Sequence, residues 1–295
     1  MFIKPHATRN EYIRASNVWI RDFTKSGVDP VALDNLFGRD DHHAVVLNET
    51  QNRQYARIYD EKIIMRDVVI VSDGYLFQER HKELLALPSE VAILAVNHAL
   101  RKWSLVRKRS INAYVVNNPY KECASFLPDP TNAYYPVCLA SSRTYYNFLG
   151  KYHGNIYVYE PVVDRSFGKG QLAPYRIDDY RNPICAAIGL AYHFGVQRLM
   201  LVCCDDSFET KRDAAVKMKN NLWTYEQHLK SHKIIDANLH WLTHQKDIEV
   251  KVADWSSGPK YINANYISEA QEAINFFKED VPLERTIHES KTDFS

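Results

Sequence analysis

The sequence predicts an α/β fold of Rossmann-like type: a mostly parallel sheet with helices on both faces and a helical N-terminal extension. Three observations carry this reading. Asp67-Val68-Val69-Ile70-Val71, the run from Val91 to Val96, and the run from Ala113 to Val116 are short, continuously apolar and rich in β-branched residues, which suits strands covered on both faces. Each ends abruptly in small or amide residues: Ser72-Asp73-Gly74-Tyr75, Asn97, and Asn117-Asn118-Pro119. Stretches of helical periodicity alternate with these runs, the first carrying Leu76, Leu84 and Leu85, which is the pattern of a parallel sheet built from strand-helix-strand units.

The N-terminal part reads as helical. Tyr12, Ser16, Trp19, Ile20 and Phe23 share one face of a helix from Thr8 to Thr24, and Thr8 and Glu11 have capping-box spacing. Asp29-Pro30 starts a second short helix that Gly38 ends. Asp40-Asp41-His42-His43 reads as a polar turn, because adjacent side chains rarely converge on one metal ion. Residues 1–62 are thus expected to form a helical extension, 63–282 one Rossmann-like domain, and 283–295 a polar tail.

In the first strand-turn-helix unit the small residues after Val71 are expected to turn the chain tightly and leave amide N–H groups open to an anion. After the third strand comes a loop rich in Pro and Asn, then a strand from Pro136 to Ala140 that ends in Ser141-Ser142-Arg143. That ending has two readings, a phosphate or carboxylate site and a helix cap beside a surface charge, and the residues do not choose between them. Asn155 to Tyr159 is a further strand, and the stretch from Glu160 to Arg181 lacks periodicity and suits a flap near a site.

The clearest helix of the second half starts at Asn182-Pro183. Asn182 caps it, Ile184, Ala187, Ile188 and Ala191 line one face, and Gly195 ends it. Arg198 to Cys204 then reads as a buried strand whose carboxyl end presents Asp205-Asp206-Ser207, which orients a hydroxyl, binds a divalent ion through water, or caps the next helix. Lys211 to Lys230 is expected to be helical, with His232 in a break before a second helix that carries Ile235, Leu239 and Leu242. Glu249 to Ala253 is the last strand, followed by the turn Ser256-Ser257-Gly258-Pro259 and a helix from Glu269 to Phe277.

Composition narrows the partners. A net charge of +1, from 37 basic and 36 acidic residues, gives no global pull towards nucleic acid or membrane, and Arg101-Lys102 and Arg107-Lys108-Arg109 around Trp103 read as a solvated helix face. Five scattered cysteines without a C-x-x-C pair read as buried thiols in a reducing compartment. With no apolar leader and no run near ~18 apolar residues, the chain is expected to be cytoplasmic with no membrane partner; a homo-oligomer is left open.

In order along the chain, these residues resemble the superfamily of MptE-like proteins, Maf-type flagellin glycosyltransferases and bacterial CMP-sialic-acid-dependent sialyltransferases. Val71-Ser72-Asp73-Gly74-Tyr75 stands where that family has its glycine-containing phosphate turn. Asn97 matches an Asn that contacts the nucleotide, and Asn118-Pro119 matches an Asn-Pro at the end of the third strand. His232, Asp236, Leu239 and Leu242 match a pattern in which the His is the general base. The resemblance implies nucleotide contacts from Ser72, Asp73, Gly74, Asn97 and Asn118, with His232 as catalytic base; Asn117, Ser141 and Ser142 are candidate nucleotide-binding residues and Asp205 a candidate catalytic residue from their places at strand ends. It implies no resident metal and no cofactor, a nucleotide-sugar donor, and an acceptor hydroxyl on a glycan, a protein or a modified nucleobase.

MptE-type diphosphokinases carry acidic motifs at the third strand end and later in the chain. Here Asn117-Asn118-Pro119 stands at the first and the second has no clear counterpart, which favours glycosyl transfer over diphosphoryl transfer. The alternatives are an ATP-dependent 6-hydroxymethylpterin diphosphokinase using Mg²⁺ at Asp205 and Asp206, and a Rossmann-like binding module without catalysis.

Overall fold

A computed structural model describes residues 47–58, 63–74, 77–96, 98–103, 110–127, 135–161, 176–177, 182–204, 225–245, 248–256 and 260–278. The helices expected in the first 46 residues, the turn at Asp40 to His43, most of the flap expected from Glu160 to Arg181, most of the helix expected from Lys211 to Lys230, and the polar tail lie outside them. The strands are β1 (Ala56–Arg57), β2 (Asp67–Val71), β3 (Ala92–Val96), β4 (Ala113–Val116), β5 (Val137–Ser141), β6 (Ile156–Pro161), β7 (Arg176–Ile177), β8 (Arg198–Val202), β9 (Lys251–Trp255) and β10 (Asn265–Tyr266). They form one sheet in the order β1-β6-β5-β4-β3-β2-β8-β9-β10, with β7 beside the second half of β6. Every pairing is parallel.

Continuous apolar runs have to be covered on both sides, and the helices do so. On one face, α1 (Phe77–Leu84), α2 (Ala99–Trp103), α3 (Tyr146–Gly150) and α6 (Ala270–Lys278) pack on Val69, Val71, Ile93, Ala95, Tyr114 and Trp255. On the other face, α4 (Pro183–His193) and α5 (Tyr225–Thr243) pack on Val68, Ile70, Leu94, Val115 and Leu201. A helix apolar all round must be buried all round, and α4, buried from Ile184 to Ala191, lies between the sheet and α5. Gly189 permits its close approach to β7, since a Cβ there would stand 2.8 Å from Ile177 Cγ2.

The ends of α4 are those its sequence predicts. Asn182 Oδ1 accepts from the Ile184 amide, a cap of the kind that contributes about 1 kcal/mol. Gly195, at φ +80°, closes a Schellman motif in which Val196 N donates to Ala191 O and Gly195 N to Tyr192 O. The break expected at His232 is absent: α5 runs unbroken from Tyr225 to Thr243. Ser231-His232 is polar but contains neither Gly nor Pro, and Ile235, Leu239 and Leu242 keep the helix against the core, so nothing interrupts the backbone hydrogen bonds.

The two poles of the sheet differ in character. At the amino pole Arg198 makes a bidentate pair with Asp67, at 2.6 and 2.7 Å, tying β8 to β2. All five cysteines are buried free thiols. No helix among the described residues is long and apolar enough to cross a membrane. The expected extension reaches the sheet through β1, and residues 47–52 are helical and sit over the carboxyl pole.

Candidate active site at the carboxyl rim

From β2 the chain steps outward through β3, β4, β5 and β6, then returns to place β8 on the other side of β2. The strand order therefore reverses between β2 and β8, where open α/β sheets leave a crevice for ligands. Ser72-Asp73-Gly74 lies there, joined to the end of β8: Ser72 N donates to Val202 O at 3.1 Å and Gly74 N to Cys203 O at 3.1 Å. Cys203 adopts φ 53°, a left-handed conformation costing about 1–2 kcal/mol for a residue with a side chain. The expectation that this turn keeps its amides for an anion is corrected at Ser72 and Gly74, because β8 takes both.

What the turn does offer is a hydroxyl. Ser72 is fully buried and its Oγ has no partner among the described residues. Asn117 is 6% exposed and its Nδ2 is likewise unpartnered. The two-residue alternation of a strand puts Ser72 with Val68 and Ile70, and Asn117 with Ala113 and Val115, on the face that carries α4 and α5. Asn52 Oδ1 and Trp255 Nε1 are buried without a partner among the described residues too; a buried polar atom left so costs about 1–3 kcal/mol, and Ser72 is the one at the strand-order reversal, where a ligand would supply what the protein does not.

The other face of the same rim is charged. Lys102, on α2, donates from Nζ to the Asp73 carbonyl at 3.0 Å, stands 3.6 Å from Asp73 Oδ2, and lies 5.4 Å from the centre of the Phe77 ring. His98 sits one helical turn before Lys102 with its ring edge-on to Phe126, centroids 4.3 Å apart. Burial holds the His98 imidazole below its usual pKa; Asp73 opposes this and the cations Lys102 and Arg101 add to it.

Beyond β8, Tyr261 is buried and its hydroxyl donates to Cys204 O at 2.9 Å. The His232 ring stacks on Tyr261 with centroids 4.3 Å apart and planes 8° from parallel. Helix α5 thus carries His232 to the strand end at which the order reverses. Asn182 Nδ2 donates to Ser231 Oγ at 2.7 Å, linking the start of α4 to the residue before His232.

The ends of β4 and β5 are built differently. Asn118 Oδ1 accepts from Tyr120 N, Ser141 Oγ accepts from Arg143 N, and Ser142 Oγ donates to Glu160 Oε2 at 2.9 Å. Thr144 Oγ1 donates to Val116 O, and Arg143 pairs with Glu49 at 2.7 Å. Asn48 donates to Pro119 O and Arg143 O and accepts from Tyr146 N; Asn52 donates to Ser142 O and Thr144 O. One turn of helix thus latches the loops after both strands.

Of the residues expected at the site, Ser72, Asp73 and Gly74 meet the end of β8, and His232 reaches that end through Tyr261. Ser141 and Ser142 lie three strands from Ser72, roughly 14 Å away at the usual strand spacing. Asn97 and Asp205 lie outside the described residues. Lys102, His98, Tyr261, Asn48 and Asn52 were not expected. The signal for the first two was available: a helix that begins three residues after the end of β3 has its first turn at the rim, and positions 98 and 102 are one turn apart on one face.

No family model matches the sequence, and no curated protein matches it. Among solved structures the fold is similar to that of a Maf glycosyltransferase from Magnetospirillum magneticum AMB-1, with 14% identity and a TM-score of 0.58. The match covers 77% of this chain and 38% of that one. At that identity the likeness is one of fold: this chain has the Rossmann-like parallel α/β architecture found in a glycosyltransferase, over a little more than a third of that protein's length.

Proposed function

We propose that the chain is a metal-independent, nucleotide-sugar-dependent glycosyltransferase whose donor lies across the carboxyl rim at β2 and β8. The observation that carries the reading is the buried Ser72 hydroxyl at the strand-order reversal, without a partner among the described residues, in a turn whose next residue holds the Lys102 ammonium. The fold shared with a Maf glycosyltransferase supports the same class of reaction.

In this reading the donor phosphate takes a hydrogen bond from Ser72 Oγ and the charge of Lys102, and Asn117 Nδ2 donates to the nucleotide. Asn97 contacts the nucleoside. Asn118, Ser141 and Ser142 hold the neighbouring loops in shape. His232 removes the proton from the acceptor hydroxyl as that oxygen bonds to the anomeric carbon; the glycosyl–phosphate bond breaks and its electron pair leaves on the phosphate. Asp205, which follows Cys204 in sequence, orients the acceptor hydroxyl. The acceptor belongs to a glycan, a protein or a modified nucleobase.

The test is nucleotide release from a panel of nucleotide sugars, with and without glycan acceptors. His232→Ala is expected to lower turnover by about 10²–10⁴-fold, and Lys102→Gln to lower kcat/KM by about 10²–10³-fold. If no nucleotide sugar is turned over while ATP is converted to AMP with a pterin alcohol, the glycosyl-transfer reading falls. If both variants keep wild-type turnover of an accepted donor, the site is misplaced.

A further inference from the structure

The carboxyl-terminal end of α5 carries two exposed histidines one turn apart, well along the helix from His232. His240 and His244 lie with ring centroids 4.0 Å apart and planes tilted by 43°. In neutral imidazole one ring nitrogen donates and the other keeps a lone pair, so the hydrogen bonds at Nδ1 decide what Nε2 can do.

At His244, Nδ1 lies 2.8 Å from the His240 carbonyl oxygen, which can only accept. Its other neighbour, Thr243 Oγ1 at 3.2 Å, directs its hydroxyl at the Leu239 and His240 carbonyls, so its oxygen is left to accept. In the neutral ring these contacts place the proton of His244 on Nδ1. At His240, Nδ1 lies 3.2 Å from Asn263 Oδ1. The Asn263 amide is oriented with Nδ2 towards the Asp236 carbonyl at 3.4 Å, which leaves Oδ1 to accept from His240 Nδ1. His240 Nδ1 carries the proton as well. Both Nε2 lone pairs are thereby left unprotonated on one exposed helix face, and each ring donates its other N–H to an oxygen. That outer-shell bond is the one that orients metal-ligating histidines and raises their basicity.

We propose that His240 and His244 form a binding site for a borderline divalent metal ion of the Zn²⁺, Ni²⁺ or Cu²⁺ class, with Asn263 as a positioning residue that acts through His240. Two imidazoles suit these ions and not Mg²⁺ or Ca²⁺, which take oxygen ligands. Water fills the remaining coordination positions, so the ion is exchangeable and open to a further ligand. Bound metal would also fix the end of α5 to the segment carrying Tyr261, since Asn263 bridges the two.

The experiment uses the full chain with ZnCl₂ or CuCl₂ alone. Because the chain has 12 histidines, the readout has to be local. In histidine proton spectra, sub-stoichiometric Cu²⁺ is expected to broaden His240 and His244 before any other histidine, and Mg²⁺ to broaden none. By calorimetry His240→Ala and His244→Ala should each weaken Zn²⁺ binding at the tightest site by at least 10-fold, with the helix content of both variants unchanged. Asn263→Ala, which leaves both ligands in place, should weaken it by about 10-fold or more. Broadening that starts at other histidines, or a His240→Ala/His244→Ala double variant that binds Zn²⁺ as tightly as wild type, overturns the site. Unchanged affinity in Asn263→Ala overturns the role given to that residue.

Discussion

Two stretches of the same rim treat polar side chains in opposite ways. Over β4 and β5, the amide nitrogens of Asn48 and Asn52 bond to the loops after both strands, Ser142 bonds to Glu160 on β6, Thr144 to the Val116 carbonyl of β4, Asn118 to the Tyr120 amide of its own loop, and Glu49 holds Arg143. Ser72 Oγ, at the end of β2, and Asn117 Nδ2, at the end of β4, are buried with no partner among the described residues, as is the Oδ1 of Asn52, whose Nδ2 is bonded. A strand-end Ser or Asn is thus not by itself a binding residue: it either completes the protein's own hydrogen bonding or leaves an unmet group for something else to satisfy. The first kind should matter to stability and the second to ligand, and substitutions can separate them.

The largest effect is expected at Asn52. Its side chain is fully buried and donates to Ser142 O at 3.0 Å and Thr144 O at 2.6 Å. Asn52→Ala strands two carbonyls and should cost about 2–4 kcal/mol in urea unfolding. Asn52→Asp should cost more, since it sets a buried carboxylate against those two oxygens. A loss under about 0.5 kcal/mol in both variants, the size of an ordinary surface change, would mean that the helical turn at 47–52 does not latch the rim.

Ser72→Ala should do the reverse. Removing an unpartnered buried hydroxyl relieves its desolvation cost, so unfolding free energy should stay level or rise by up to about 1 kcal/mol. Stabilisation of the native state by nucleotide should shrink at the same time, by the full RT ln(1 + [L]/Kd) if binding is lost, about 2.7 kcal/mol at 100-fold the wild-type Kd. A Ser72→Ala protein that unfolds early and still gains the wild-type thermal shift from nucleotide would place Ser72 with Asn52 and erase the contrast.

How much of this was legible in the residues depends on distance along the chain. Strands β2, β3, β4 and β8 and both ends of α4 could be read because their causes are local: β-branched apolar runs, Asn182 before Pro183, and Gly195 where φ is positive. The partners of strand-end polar groups are not local. Asn52 is 90 residues from Ser142, and Asn48 is 71 from Pro119, so no window on the sequence distinguishes a latched serine from an unmet one. The break misplaced at His232 has a different origin, since the residues there contain neither Gly nor Pro and the apolar stripe of Ile235, Leu239 and Leu242 carries the helix through. Lys102 read as a solvated charge because its partner, Asp73, belongs to the preceding strand-turn unit.

The smallest effect expected is electrostatic and falls on His98. Its pKa is lowered chiefly by burial, raised in part by Asp73, and lowered further by Lys102 and Arg101. Lys102→Gln should therefore raise the pKa seen in histidine proton spectra, and Asp73→Asn should lower it further. The sign for stability comes from proton counting. A histidine whose folded pKa lies below the unfolded value of about 6.5 binds fewer protons when folded. Its contribution is therefore complete above that pH and declines as pH falls through the unfolded value towards the folded one. Wild type should lose stability more steeply than His98→Gln over that interval, and parallel curves would show that His98 titrates as it does in the unfolded chain. The same proton reports on ligand. A phosphate beside Lys102 offsets the ammonium's charge, so nucleotide should shift His98 upward in wild type and much less in Lys102→Gln. If the two shifts are equal, the phosphate lies elsewhere on the rim and the charged face of β2 and β3 is not where it is held.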